Sequence, residues 1–258
     1  MTQFANLQGT HTAYELRGSG PAIVLMHGAE ANRHSFDALA EALALHAQVV
    51  IYDQRECGET VNKTGEHHIP ELAEDAAELM GHLGHARYSV FGTSLGGRIA
   101  QALAIAYPQR VQSLSLCNTW PLDRSLPELN PEGMARMQSL RAGLPETAGQ
   151  LASMFYTPEH VARHPALTSR FASAMPGKRS ALAQEVHALD PARIQSPTLC
   201  ISGSLDQVVP ANVMQALAGR IPGAAWESLE GIGHSAAVQA PGLLAQAIVQ
   251  FLLQQPDF

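Results

Sequence analysis

Residues 88–97 read Tyr88-Ser89-Val90-Phe91-Gly92-Thr93-Ser94-Leu95-Gly96-Gly97. An apolar run that suits a buried strand ends in G-x-S-x-G, and helical spacing starts at once and runs from Leu95 to Tyr107. A chain passing from strand to helix this abruptly must reverse at Ser94 with strained dihedrals. Its neighbours two positions either side then have no room for a Cβ, which is why glycine stands at 92 and 96. The serine hydroxyl projects from the turn, beside helical N–H groups that lack intrahelical acceptors and favour an incoming negative charge. Gly-Ser turns also join strands to helices without doing chemistry. The strand before and the helix after make Ser94 a candidate nucleophile.

The same strand-turn-helix rhythm extends outward in both directions. Pro21–Gly28, Val49–Asp53, Tyr88–Gly92, Leu114–Cys117, Thr198–Ile201 and Trp226–Leu229 read as strands. Helical spacing follows at Phe36–Leu45, Glu71–Leu83, Leu95–Tyr107, Ala211–Arg220 and Leu243–Leu253. Continuous apolar strands alternating with helices specify an α/β fold, with a mostly parallel central sheet covered by helices on both faces. The first twenty residues, with Thr12–Leu16 as one arm, predict an antiparallel hairpin capping one edge. The rhythm breaks over 121–190, which carries seven prolines, no β-branched run and several short helical patterns. Met134, Met137, Met154, Phe155, Tyr156, Phe171 and Met175 supply its apolar residues. This predicts a core of residues 1–120 and 191–258, with 121–190 inserted between two strands as a helical cap or lid over their carboxyl ends, where open sheets of this kind bind ligands.

Composition narrows the class of partner. Sixteen Lys and Arg against 23 Asp and Glu leave a net charge of −7, which argues against nucleic acid and against an anionic membrane surface. The three cysteines, Cys57, Cys117 and Cys200, never form a CxxC pair, so neither a disulfide framework nor a zinc site is expected. No cofactor is called for. The N-terminus lacks the pattern of a signal peptide and no apolar run reaches the length of a membrane span, so a soluble, cytoplasmic protein is expected. Nothing in the sequence reports on oligomeric state.

A serine hydroxyl needs a base to become a useful nucleophile. Of twelve histidines, His34, His46, His67, His68, His82 and His85 sit in polar or helix-surface contexts. His234 lies instead in the Gly-flanked loop Gly231-Ile232-Gly233-His234-Ser235, between the last strand and the last helix. The fifth strand runs out into Gly203-Ser204-Leu205-Asp206, which puts Asp206 at the same edge of the sheet. There it could orient the imidazole and stabilise its protonated form. A cap for the following helix is the plain alternative for Asp206. Asp123 is a rival acid, and Cys57 a weaker rival nucleophile without a recognisable histidine.

With these residues in place the chain resembles the α/β-hydrolase fold family over nearly its whole length. Met26-His27-Gly28, Tyr52-Asp53-Gln54-Arg55, the 92–97 turn, Ser202–Asp206 and Gly233-His234 carry the resemblance, and the order Ser94, Asp206, His234 is the family's order. It implies a Ser-His-Asp triad, with the backbone N–H groups of Ala29 and Leu95 as the oxyanion hole and His27 as a structural hydrogen-bonding residue. Glu56 departs from the pattern by standing where the family loop carries glycine. Glu30 would bring a carboxylate near the oxyanion site, turned to solvent, paired with Arg33 or Arg98, or selecting substrates. Glu30, Trp120 and Met154 are the pocket candidates, with sealing of the cap onto the core as the plainer role for the Met and aromatic residues. The resemblance extends to enol-lactonases and short-chain esterases, so a small-molecule ester or lactone is the expected substrate. C–C bond hydrolysis on the same triad and a ligand-binding or sensor protein on this fold are the alternatives. Ser94 at the turn disfavours dehalogenase chemistry, which uses Asp there.

Overall fold

The computed structural model describes residues 1–65, 67–172 and 179–255. Its strands are β1 (Gln3–Asn6), β2 (Thr10–Arg17), β3 (Ala22–Met26), β4 (Gln48–Tyr52), β5 (Val61–Asn62), β6 (Tyr88–Thr93), β7 (Val111–Cys117), β8 (Thr198–Gly203) and β9 (Ala225–Leu229). They form one sheet in the order β1-β2-β4-β3-β6-β7-β8-β9, with β5 paired to β2. From β4 to β9 every pairing along this path is parallel. The expected N-terminal hairpin is β1 and β2, antiparallel to each other, with β2 antiparallel to β4. The short strand β5 was not anticipated, because two residues carry no periodicity.

Side-chain alternation along the central strands builds two cores. In β3, Val24 and Met26 join one apolar cluster while Ile23 and Leu25 join the other. In β4 the same alternation sends Val50 and Tyr52 one way and Val49 and Ile51 the other. Helices α1 (Asp37–Leu43), α2 (Ile69–His82) and α3 (Leu95–Ala106) follow the first parallel strands. Of these, α2 and α3 cover the Val24 face, and α1 covers the Ile23 face. A strand buried on both sides must be apolar at every position, which explains the continuous apolar runs.

Between β7 and β8 lie α4 (Leu126–Leu129), α5 (Pro131–Ala142), α6 (Ala148–Phe155), α7 (Pro158–Arg163), α8 (Pro165–Ala172) and α9 (Arg179–Leu182). No strand occurs among the described residues of this stretch, and Met175 lies outside them. Its two ends meet, His187 N donating to Leu122 O at 2.9 Å. The fully buried Arg98 of α3 donates to Leu122 O at 2.8 Å, Ala183 O at 3.2 Å and Glu185 O at 2.6 Å. Arg98 thus clamps both ends with backbone carbonyls, and it is not the partner of Glu30. Carbonyls are neutral, so burial lowers its pKa to about 10. The chain ends with α10 (Ala211–Arg220), α11 (Ala236–Gln239) and α12 (Pro241–Leu252). Among the described residues no helix is long and apolar enough to cross a membrane.

The sheet and α3 approach too closely for side chains at the turn between them. A Cβ on Gly96 would lie 2.0 Å from Met26 O, and one on Gly92 would lie 2.4 Å from Gly96 O. Gly96→Ala should therefore push α3 off β3 and lower stability by about 3 kcal/mol, the upper range for overpacking against backbone. Gly219→Ala is the control, since nothing lies within 4 Å of its added Cβ. It should be neutral or stabilise by up to about 1 kcal/mol through helix propensity. Urea unfolding of the two variants checks both values.

Candidate active site

At the end of β6 the backbone of Ser94 adopts φ 54° and ψ −125°, a region that costs a non-glycine residue about 1–3 kcal/mol. Surrounding bonds hold it there. Ser94 N donates to Cys117 O at 3.1 Å, and Ser94 O accepts from Gly97 N at 3.0 Å and Thr119 Oγ1 at 2.7 Å. The side chain stands half-buried at the mouth of the turn.

Asp206 and His234 converge on it from the loops after β8 and β9. His234 Nε2 lies 3.1 Å from Ser94 Oγ, and His234 Nδ1 lies 2.8 Å from Asp206 Oδ2. The carboxylate oxygen needs a donor, so the ring proton belongs on Nδ1 and the Nε2 lone pair is left to accept from the Ser94 hydroxyl. Asp206 Oδ1 accepts from the N–H groups of Val208 and Val209, both at 2.8 Å. These bonds close the loop before α10, whose N-cap is Pro210 without a side-chain cap bond, so Asp206 does not cap that helix, and its second oxygen stays free for the imidazole. Both side chains are almost fully buried, so little water competes for their hydrogen bond. The rivals lie elsewhere. Asp123 forms a two-pronged pair with Arg220 at 2.8 and 2.5 Å, which holds its carboxyl below the usual range. Burial pushes the Cys57 thiol up, away from the reactive thiolate.

The loop after β3 runs alongside this chain of groups. A Cβ built on Gly28 would be 3.3 Å from Ser94 Cβ, so only glycine lets the loop come this near without displacing the serine. His27 is fully buried and locks the loop. Its Nδ1 donates to Gly28 O at 2.9 Å, while its Nε2 accepts from Gln54 N at 3.3 Å. Gln54 Nε2 donates to His27 O at 3.0 Å. Burial, with Arg179 nearby, lowers the His27 pKa to about 3, so this imidazole stays neutral at ordinary pH. Ala29 follows in the loop, and Leu95 opens α3, where first-turn N–H groups have no partner within the helix.

Glu30 meets neither of its expected partners. Arg141 of α5 reaches it, Nη2 to Oε1 at 2.5 Å, a contact sequence could not reveal because 111 residues separate the two. Arg33 instead bonds Asp53, whose Oδ1 accepts from Arg33 N at 2.8 Å. Trp120 and Met154 are each 1% exposed and belong to the apolar core, Trp120 lying under the Arg98 guanidinium at 5.2 Å. Glu56 takes φ 60°, so it follows the left-handed backbone that glycine would adopt there and the turn survives the substitution.

Two further residues hold His234 in place: Asn118, which sequence reasoning missed, and Phe155, which it gave only as an apolar residue of the 121–190 stretch. Asn118, fully buried at φ 47°, donates from Nδ2 to His234 O at 2.7 Å and Gly233 O at 3.2 Å. Its Oδ1 accepts from Gly203 N at 2.8 Å. One amide thus joins the ends of β7 and β8 to the histidine loop. From the 121–190 stretch, Phe155 O accepts from Ser235 N at 2.9 Å, and the Phe155 ring meets the imidazole edge-on at 5.7 Å. A lone Asn after a strand gives no sequence signal for such a role.

The profile of the alpha/beta hydrolase fold matches residues 21–241. A RutD protein of Azorhizobium caulinodans, named as a proposed carbamate hydrolase, is 29% identical, the match covering 92% of this chain and 93% of that protein. A thermophilic esterase from Thermogutta terrifontis superposes with TM-score 0.80 at 26% identity, covering 98% of each chain. The enol-lactonase from Burkholderia xenovorans superposes with TM-score 0.81 at 25% identity, covering 98% of this chain and all of that one. With the strand order, the turn at Ser94 and a match over most of its length, the chain belongs to the alpha/beta hydrolase fold family.

Proposed function

We propose that this hydrolase cleaves a carboxylic ester or lactone of a small molecule through an acyl-enzyme at Ser94. The observation that carries the reading is the unbroken chain Asp206–His234–Ser94, with both hydrogen bonds within reach of proton transfer. Ser94 Oγ attacks the substrate carbonyl carbon while His234 Nε2 takes the hydroxyl proton, and Asp206 stabilises the imidazolium that forms. The carbonyl oxygen becomes an oxyanion and accepts from the Ala29 and Leu95 N–H groups, helped by the α3 N-terminus. Collapse of the tetrahedral intermediate breaks the C–O bond, and His234 returns the proton to the leaving alkoxide. Water attacks the acyl-enzyme by the same route in reverse, releasing the acid and restoring Ser94. No cofactor enters this cycle. The stretch 121–190 acts in this reading as the cap over the site, with Phe155 supplying an apolar wall to the imidazole.

Carbamate hydrolysis is the second reading, favoured by the name given to the Azorhizobium relative. The same groups would attack a carbamate carbonyl, which nitrogen donation makes less electrophilic. A panel of p-nitrophenyl esters from acetate to decanoate, a five-membered lactone and a simple carbamate separates the two. Esters or the lactone should be turned over at least tenfold faster than the carbamate, and the reverse order would favour the second reading. Ser94→Ala should lose at least about 10³-fold in kcat on every substrate while keeping the circular dichroism of the parent. Retained turnover in that variant would sink the assignment, and binding without repeated turnover would mark a sensor.

Asn118 is a positioning residue in this scheme, acting through the His234 backbone. Asn118→Gly accepts the left-handed backbone but loses all three bonds. It should lower kcat by about 10²-fold, the scale of a small misplacement of a reacting group, with KM changing much less. An equal rise in KM would point to a general loosening of the fold instead.

A further inference from the structure

A cleft of about 590 Å³ opens beside the loop that follows β3, lined among others by Ala29, Glu30, Glu56, Cys57, Arg170 and Arg179. Ala29 belongs to both this cleft and the proposed oxyanion site, while Ser94 and His234 do not line the cleft. Arg179 decides what the cleft suits. The residue is 3% exposed, yet its partners are all neutral. Nη1 donates to Arg55 O at 2.9 Å and Cys57 Sγ at 3.2 Å, and Nη2 donates to Gln54 Oε1. Nε has no partner. The Nε–H and one Nη2 hydrogen therefore remain, on adjacent nitrogens of a planar fork.

The other buried arginines of these loops are treated differently. Arg33 faces Asp53 and Arg55 faces Asp75, whereas among the described residues no carboxylate pairs with Arg179. A buried cation without a counter-ion is costly. Cys57 does not supply the charge, because burial holds its thiol protonated. Glu30 is engaged by Arg141 at 2.5 Å. We propose that Arg179 receives a carboxylate carried by the substrate, so that this enzyme favours esters or lactones bearing a free acid over neutral ones. Two remaining donors on a fork match the two oxygens of a carboxylate. Glu30 and Glu56 offset Arg170 and Arg179 around the cleft, which suits a monoanion better than a phosphate dianion. Such a carboxylate would displace nothing already paired, and it completes the hydrogen bonding of the buried guanidinium.

The inference rests on the Ser94 reading only for which bond is cut, so binding is measured apart from turnover. The probes are the monomethyl esters of succinic, glutaric and adipic acids, with their neutral dimethyl esters as references. In calorimetric titrations of Ser94→Ala protein, at least one monoester should bind more tightly than its diester. Adding Arg179→Gln should weaken that monoester at least tenfold more than the diester, and raising salt should weaken it further. In the enzyme with Ser94 intact, Arg179→Gln should lower kcat/KM for the monoester at least tenfold more than for the diester, mainly through KM. Arg179→Lys keeps the charge but loses the fork, and should give an intermediate loss of at least threefold. It decides the matter if the glutamine variant fails to fold. Equal losses on both ester types would overturn the proposal by showing Arg179 to be only a structural tie. Monoester binding that ignores Arg179 would overturn it as well. Monoester binding that depends on Arg179, without any ester turnover by the parent enzyme, would instead uphold the cleft and overturn the Ser94 reading.

Discussion

At the end of β6 the chain turns through Ser94 at φ 54°, in a space that excludes side chains at Gly92 and Gly96. This strained turn sets the position of everything around it. Because Gly96 sits against the carbonyls of Met26 and His27, α3 starts directly behind β3 and its first N–H groups face the serine. Because Ser94 N is bonded to Cys117 O, the turn is registered to the end of β7, where Asn118 begins its own left-handed turn. Asn118 passes that registration to β8 and the histidine loop. Positions that would otherwise depend on four separate loops are fixed by close packing and a few short bonds. That is how a site made of loop residues can be held to the tolerance that proton transfer demands.

Beside the ion pairs Asp123–Arg220 and Arg141–Glu30, the stretch 121–190 is attached to the rest by two further sets of polar contacts. On the histidine side several join backbone and neutral side chains. Gln207 Nε2 donates to Ser153 O at 2.9 Å, Gln239 Nε2 to Thr157 Oγ1 at 3.1 Å, and Ser235 N to Phe155 O. On the other side the fasteners are two buried guanidinium groups. Arg98 reaches out from the core to carbonyls at both ends of the stretch, and Arg179 reaches from it into the loop after β4. Both arginines bury a charge against neutral acceptors, which costs more than neutral pairs would. The costs differ in consequence. The Arg98 partners are carbonyls that cannot be exchanged for an anion without undoing the junction. Arg179 lines a cleft and keeps a buried Nε without a partner among the described residues.

The fold was largely legible because its signals are periodic or steric. Continuous apolar strands, the glycines around Ser94 and the antiparallel edge hairpin each follow from local chemistry, and strand ends shifted by only a few residues. The candidate site was legible where loops carry recognisable punctuation, as at Asp206 and His234, which the folded chain brings to hydrogen-bonding distance. It was not legible where partners are far apart in sequence. Glu30 pairs across 111 positions with Arg141, and Asn118 bonds residues 115 and 116 positions away. Trp120 and Met154 have the composition of pocket residues, and composition does not distinguish the inside of a cleft from the inside of a core. Glu56 shows the opposite limit, since a residue that breaks a motif can still adopt the backbone the motif requires.

His27 connects these observations into one sequence of dependence. Its imidazole is held neutral by burial, and only the neutral form can donate through Nδ1 while accepting Gln54 N at Nε2. Gln54 in turn bonds His27 O with one end of its amide and Arg179 with the other. The loop that brings Gly28 beside Ser94 is therefore coupled through a single side-chain amide to the guanidinium that lines the cleft. A carboxylate arriving at Arg179 would tighten a group already bonded to the support of that loop. In the proposed reading, charge recognition and the placement of the Ala29 donor would share this hydrogen-bonded path. A protonated His27 would lose the acceptor at Nε2 and add a second positive charge near Arg179, and the low pKa of the buried ring keeps that state out of the working pH range.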